Sequence, residues 1–269
     1  MAVKDAVLGA SGFVGRRLVK YLHANGRQVI IPNKSECCLI HEKIDTLYYC
    51  VGYTADYLKN PSATIEAHVG LLSRVIETID FDHIVYLSST RVYDGLNLYK
   101  CDGHEDLILN PYKSRHLYDL TKVLGENLLL TCMPHHCSIA RLSCVYDAGE
   151  DSPGFLSNLL QKTRKSKYIK IKSSPNICRD YVLLDDVVKS LIAMASTRTC
   201  GVINVASGRN TYNYEIADAL ACFDIDVQFA SFDDIFHYPL CDIKKLTMLG
   251  IKPIETIIAL KGILGDQLR

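Results

Sequence analysis

The 269-residue chain predicts an α/β fold, a doubly wound parallel sheet carrying a small C-terminal lobe. Three observations lead there: an apolar run entering a turn with glycines three residues apart, apolar strands alternating with helical patterns over the first 145 residues, and a shorter rhythm beyond them. The length accommodates one large α/β domain with a smaller lobe. We place the division at 1–145 and 146–269, with later strands and helices of the second part contributing to the first.

The elements follow in order. Val3 to Ala10 is a short apolar run before a glycine, and so a buried strand. From Phe13 to Ala24, the residues Phe13, Val14, Leu18, Val19 and Leu22 recur at helical spacing, and Asn25-Gly26 ends the run. A second strand spans Gln28 to Pro32. The turn "GASGFVG" thus lies between strand and helix, the context that a Rossmann-type dinucleotide fingerprint requires. Asn33 to Asp45 is too short for a full crossover helix, so the link to the strand Thr46 to Gly52 is abbreviated. Proline opens a helix over 61–78. Strand His83 to Ser89, helix Leu117 to Leu130 and strand Cys137 to Ser143 complete the alternation. Beyond it, strands at "YIKIK", "RDYVLL" and "GVINVAS" alternate with helices around Phe155–Thr163, Asp185–Ser196 and Asn213–Cys222.

Thirty Lys+Arg balance thirty Asp+Glu, which argues against a surface built to grip nucleic acid or an anionic membrane. The cationic stretch Gln161 to Lys172 reads as a solvated helix end running into a strand. No segment reaches the about 18 apolar residues of a membrane span. The N-terminus runs directly into the glycine turn without a signal-peptide pattern, which predicts a cytoplasmic chain. Eleven cysteines are scattered and none forms C-x-x-C, so they read as reduced, mostly buried side chains. The cluster Cys132, His135, His136, Cys137 lacks the separated pairs of a structural zinc site, and no metal is expected.

Three motifs carry chemistry. Glycines at a helix start let backbone N–H groups approach a pyrophosphate, aided by the helix dipole. This assigns Gly9, Ser11, Gly12, Phe13, Val14 and Gly15 to a cofactor turn. "YDLTK" puts Tyr118 and Lys122 on one helical face, where an ammonium favours the phenolate of a tyrosine that exchanges protons. "SSTRVYD" closes a strand at its C-terminal end, where open parallel sheets bind ligands.

With these motifs in this order, the sequence resembles the extended short-chain dehydrogenase/reductases, the NAD(P)-dependent epimerases and dehydratases of nucleotide sugars. "RDYVLLDDVV" and "INVASG" resemble later segments of the same family. The resemblance implies that Tyr118 is the acid/base, that Lys122 binds the nicotinamide ribose and tunes Tyr118, and that Ser89 is the catalytic hydroxyl, ahead of Thr90. It also implies substrate contacts from Ser89, Thr90, Asn158 and Arg179, a nucleotide-sugar substrate, and pairing into a homodimer.

Departures from the family pattern refine these expectations. Asn33, followed by Lys34, stands where NAD users often carry a carboxylate, which tilts the expected NAD(P) cofactor towards NADP. Cys144 replaces a frequent asparagine. "STR" lacks the Asp-Glu pair of sugar dehydratases, so epimerisation or 4-keto reduction is expected before dehydration. A reductase of a non-sugar carbonyl and a non-catalytic NADP-binding sensor are the alternatives.

Overall fold

The computed structural model describes residues 4–33, 36–54, 56–232 and 238–267. Its centre is a six-stranded sheet formed by β1 (Lys4–Leu8), β2 (Gln28–Ile30), β3 (Ile44–Tyr49), β4 (Phe81–Ser89), β5 (Cys137–Leu142) and β6 (Gly201–Val205). The strand order is β6-β5-β4-β3-β1-β2. β1 runs parallel to both β2 and β3, with Ala6 opposite Ile30 on one side and Leu47 on the other. The chain therefore goes from β1 to one edge and returns past β1 to build β3, which creates a switch point at the C-terminal ends of β1 and β3. The shortened link behaves as the sequence predicts: among the described residues between β2 and β3 there is no helix.

Apolar residues on both faces of these strands explain why helices must cover both sides. Ala6, Leu8, Ile44, Leu47, Ile84 and Ile139 pack in one core with Leu71, Leu72 and Val75. Helix α1 (Phe13–Ala24) keeps its predicted bounds and buries Gly15, Leu18 and Leu22, a stripe at helical spacing. The helix predicted over 61–78, here α2, is less regular than its pattern. It joins α-helix Pro61–Ile65, a π turn at Glu66–Gly70 and α-helix Leu71–Thr78. Helix α3 (His116–Cys132) crosses that π turn closely at Gly125, where a Cβ would lie 2.5 Å from Tyr86 Oη and 2.9 Å from the His68 carbonyl oxygen.

Two units divide the chain. The first, built on the sheet, comprises Met1–Val92, Asp106–Arg141 and Val188–Ile203; the second comprises Tyr93–Glu105, Leu142–Val187 and Asn204–Arg269. In the second, strand Cys178–Leu183 pairs parallel with Cys144–Tyr146 and antiparallel with Asn210–Tyr212. Its core gathers Leu156, Leu160, Ile171, Leu220 and Leu264. The "RDY" and "ASG" segments meet here: Asp180 accepts the Ser207 and Gly208 N–H groups at 2.8 Å each. The cationic stretch is the end of helix Phe155–Thr163 followed by strand Tyr168–Ile171, with Arg164, Lys165 and Lys167 exposed. Among the described residues, no helix is long and apolar enough to cross a membrane.

Candidate active site

The glycine turn is a cradle that side chains would fill. Gly9 has φ +81°, and a Cβ there would stand 2.7 Å from the Cys50 carbonyl carbon and oxygen; one on Gly15 would stand 2.2 Å from the Gly9 oxygen. The Gly12 N–H donates to that same oxygen at 2.9 Å. Gly12 caps α1 without a side-chain hydrogen bond, and no acidic residue stands in the first turn. The helix start thus presents bare N–H groups with the positive end of the dipole behind them, at the switch point of the sheet. With Ser11 and Gly12 exposed, these residues fit a dinucleotide pyrophosphate.

One helical turn of α3 then positions Tyr118 and Lys122, both about 4% exposed. The side chains of Ser89 and Thr54 act on the Tyr118 hydroxyl, and both favour its ionised form. Burial raises its pKa, while the Arg91 guanidinium and those two side chains pull it down. Lys122 Nζ donates to the Leu87 carbonyl at 2.8 Å and lies 4.9 Å from the centre of the Tyr86 ring. Burial lowers its pKa to about 7, against the opposing pull of Glu126. Glu126, one turn further on, is fixed by a two-pronged ion pair: Arg141 Nε to Oε1 at 3.0 Å and an Arg141 terminal nitrogen to Oε2 at 2.6 Å. It also accepts the Ser88 hydroxyl. This buried cluster ties α3 to β4 and β5 directly behind the Tyr-Lys pair.

Three residues of this site escape the sequence pattern. Tyr57 packs its ring 5.5 Å from that of Tyr118. Arg91 lies over Tyr118. His68, in the π turn, has its ring edge-on to Tyr118 with centroids 5.3 Å apart. Thr121 Oγ1 donates to the Tyr118 carbonyl at 2.9 Å. Its lone pair is therefore free to accept from His68 Nδ1 at 2.8 Å, and His68 Nε2 then accepts the Tyr53 N–H at 3.2 Å. Burial pushes the ring's pKa down to about 2, with Lys122 adding to the effect. The neutral imidazole bridges the loop after β3 to the helix of Tyr118. Its signal in the sequence was a histidine on the apolar stripe of α2, with Thr64 and Leu71 also buried.

The remaining predicted residues are placed separately. Thr90 is buried at the start of the 3₁₀ turn Thr90–Tyr93. Asn33 is exposed, and its Nδ2 donates to Glu36 Oε2 at 3.1 Å, a carboxylate that the reading of Asn33 and Lys34 missed. Lys34 lies outside the described residues. Asn158 and Arg179 belong to the second unit. Asn158 is exposed on helix Phe155–Thr163, and Arg179 lies 5.3 Å from the centre of the Tyr238 ring.

A doubly wound parallel sheet with a glycine cradle at its switch point and a buried Tyr-x-x-x-Lys pair one strand away defines a nicotinamide-dependent enzyme of the short-chain dehydrogenase/reductase type. The chain belongs to the NAD dependent epimerase/dehydratase family, whose model matches residues 6–206. No curated protein matches the sequence. Among solved structures it is similar to MoeE5 in complex with UDP-glucose and NAD (TM-score 0.78, 21% identity, 100% of each chain covered). It is similar also to RMD from Pseudomonas aeruginosa complexed with NADPH (TM-score 0.79, 20% identity, 99% of this chain and 100% of that one). A third is UDP-N-acetylglucosamine 4-epimerase from Methanobrevibacter ruminantium M1 in complex with UDP-N-acetylmuramic acid (TM-score 0.80, 18% identity, 98% of each). At these identities the likeness establishes the fold, and the family establishes NAD(P) as the cofactor class.

Proposed function

We propose that the protein is a nucleotide-sugar epimerase or 4-ketoreductase that transfers hydride at a sugar ring carbon, with Tyr118 as acid/base. The observation that carries this reading is the buried Tyr118 on the same helix turn as buried Lys122, with the Ser89 side chain favouring its phenolate. In the ketone-forming direction, Tyr118 Oη as phenolate takes the proton of a ring hydroxyl. Ser89 Oγ donates to the same oxygen and fixes its direction. Gly9, Ser11, Gly12, Phe13, Val14 and Gly15 would hold the cofactor pyrophosphate and Lys122 its ribose; when bound, the nicotinamide supplies the hydride acceptor and donor. In an epimerase, Tyr118 returns the proton once hydrogen re-enters from the opposite face of the ring; a reductase runs only the ketone-to-alcohol half. Arg179 and Asn158 are assigned to the substrate.

The cofactor edge supports NAD more than Asn33 alone suggests. Glu36, held by Asn33 at 3.1 Å, brings a carboxylate that pairs with ribose hydroxyls and repels a 2′-phosphate. The experiment is to denature the purified protein and identify by chromatography any nicotinamide nucleotide released, then to test UDP-sugars for interconversion. Stoichiometric NAD together with interconversion supports the epimerase. An empty protein that takes up NADPH and reduces a 4-keto sugar supports the ketoreductase. A protein that binds neither nucleotide overturns both.

A further inference from the structure

We propose that Arg91 is a positioning residue for the proton transfer: its guanidinium, stacked on the ring of Tyr118, is the permanent cation that sets how readily Tyr118 gives up its proton. This rests on the reading of Tyr118 as acid/base. The geometry is specific. The Arg91 guanidinium carbon stands 4.6 Å from the Tyr118 ring centre and 5.2 Å from that of Tyr57. It donates to Tyr57 Oη at 3.3 Å, and its Nε lies 3.8 Å from Asp119 Oδ1. Its side chain keeps 32% of its exposure while Asp119 keeps 3%, so the cation is anchored from the helix side and partly solvated on the other. A guanidinium over a phenol face is attracted to the ring and more strongly to the phenolate.

Lys122 cannot fill this role alone. Its Nζ is engaged by the Leu87 carbonyl, and burial brings its pKa to about 7, so near neutrality only part of the population carries the charge. Arg91 is charged at every working pH. The other groups facing Tyr118 are the neutral His68, Tyr57 and Tyr86, the hydroxyls of Ser89 and Thr54, and the carboxylate of Asp119, which opposes ionisation. Arg91 is the strongest of the influences that favour the phenolate.

The test places 3,5-difluorotyrosine at position 118 of the full chain and follows its ionisation by fluorine NMR, in the parent and in Arg91→Met, Arg91→Gln and Arg91→Lys. The expected midpoint rises by about one pH unit or more in Arg91→Met and Arg91→Gln, and Arg91→Lys restores at least half of that shift. Two neutral variants keep the test available if one fails to fold. A midpoint that moves by less than about 0.3 unit in a folded neutral variant overturns the proposal. The pH dependence of kcat is the second readout: its acidic limb moves up with the NMR midpoint, whereas a purely structural role lowers kcat at every pH without moving the limb. The titration needs no substrate. If Tyr118→Phe keeps full activity while the midpoint still shifts, the functional reading fails and the Arg91–Tyr118 coupling stands.

Discussion

Replacing His68 with leucine separates a buried neutral histidine from an ordinary packing residue. The substitution removes the acceptor of the Tyr53 N–H and the donor to Thr121 Oγ1, at a cost of about 1–3 kcal/mol for the polar groups left without partners. The wild-type ring also carries a pH-dependent penalty. Its folded pKa lies at about 2, while in the unfolded chain it titrates near about 6.5. Below that value the unfolded chain binds a proton that the folded chain refuses, so wild-type stability falls as pH drops towards 2. At ~1.4 kcal/mol per pH unit, this loss amounts to about 2 kcal/mol between about pH 7.5 and pH 5. Leucine abolishes it. His83, pushed down to about 4 by burial, and Asp180, raised by burial to about 6, contribute alike to both proteins and cancel in the difference. Urea denaturation at the two pH values is the assay. The His68→Leu penalty should shrink by about 2 kcal/mol at the lower pH, to near zero or a net gain. An equal penalty at both values would refute the neutral buried imidazole.

Further outcomes follow from the same geometry. Gly15→Ala sets a methyl 2.2 Å from the Gly9 oxygen; it should destabilise by about 1–3 kcal/mol and abolish nicotinamide nucleotide binding, measured by calorimetry on the folded variant. Glu126→Ala leaves Arg141 buried without its carboxylate and should cost about 3–5 kcal/mol in denaturant unfolding, more than the surface pair Lys59–Asp56 removed the same way. Glu36→Lys should move the binding preference from NADH towards NADPH by about tenfold or more, read by competitive titration, because it replaces a repelling carboxylate with a cation at the Asn33 edge.

Much of the scaffold could be read from periodicity because each element obeys one local rule. Phe13–Ala24 was legible from its apolar spacing and the Asn25-Gly26 stop. The strands of the sheet were legible as apolar runs, since both faces are covered. What escaped were features that depend on two segments meeting. The π turn at Glu66–Gly70 leaves the apolar stripe intact, so nothing in the spacing marks it; its carbonyls are taken by Tyr49 from Ala67 and by Tyr86 from His68. The short helix Lys244–Met248 and the last helix Thr256–Gln267 lie beyond the segments the pattern picked out. At the candidate site, Ser89, Tyr118 and Lys122 were legible through spacing and resemblance. Arg91 was visible only as a departure from the family pattern, and its place over the ring depends on how the 3₁₀ turn after β4 faces α3. Glu36 was not legible beside Asn33, because only the bond from the Glu36 N–H to the Asn33 carbonyl folds it back towards the end of the second strand.

The central claim is that Tyr118 exchanges the proton while hydride moves between a sugar carbon and a bound nicotinamide. The most direct measurement mixes the NAD-loaded protein with UDP-sugars and follows the absorbance of reduced nicotinamide within one turnover, in the wild type and in Tyr118→Phe. Reduction should occur in the wild type and fall by about 10²-fold or more in Tyr118→Phe while NAD binding is retained. Equal rates of reduction in the two proteins would contradict the account.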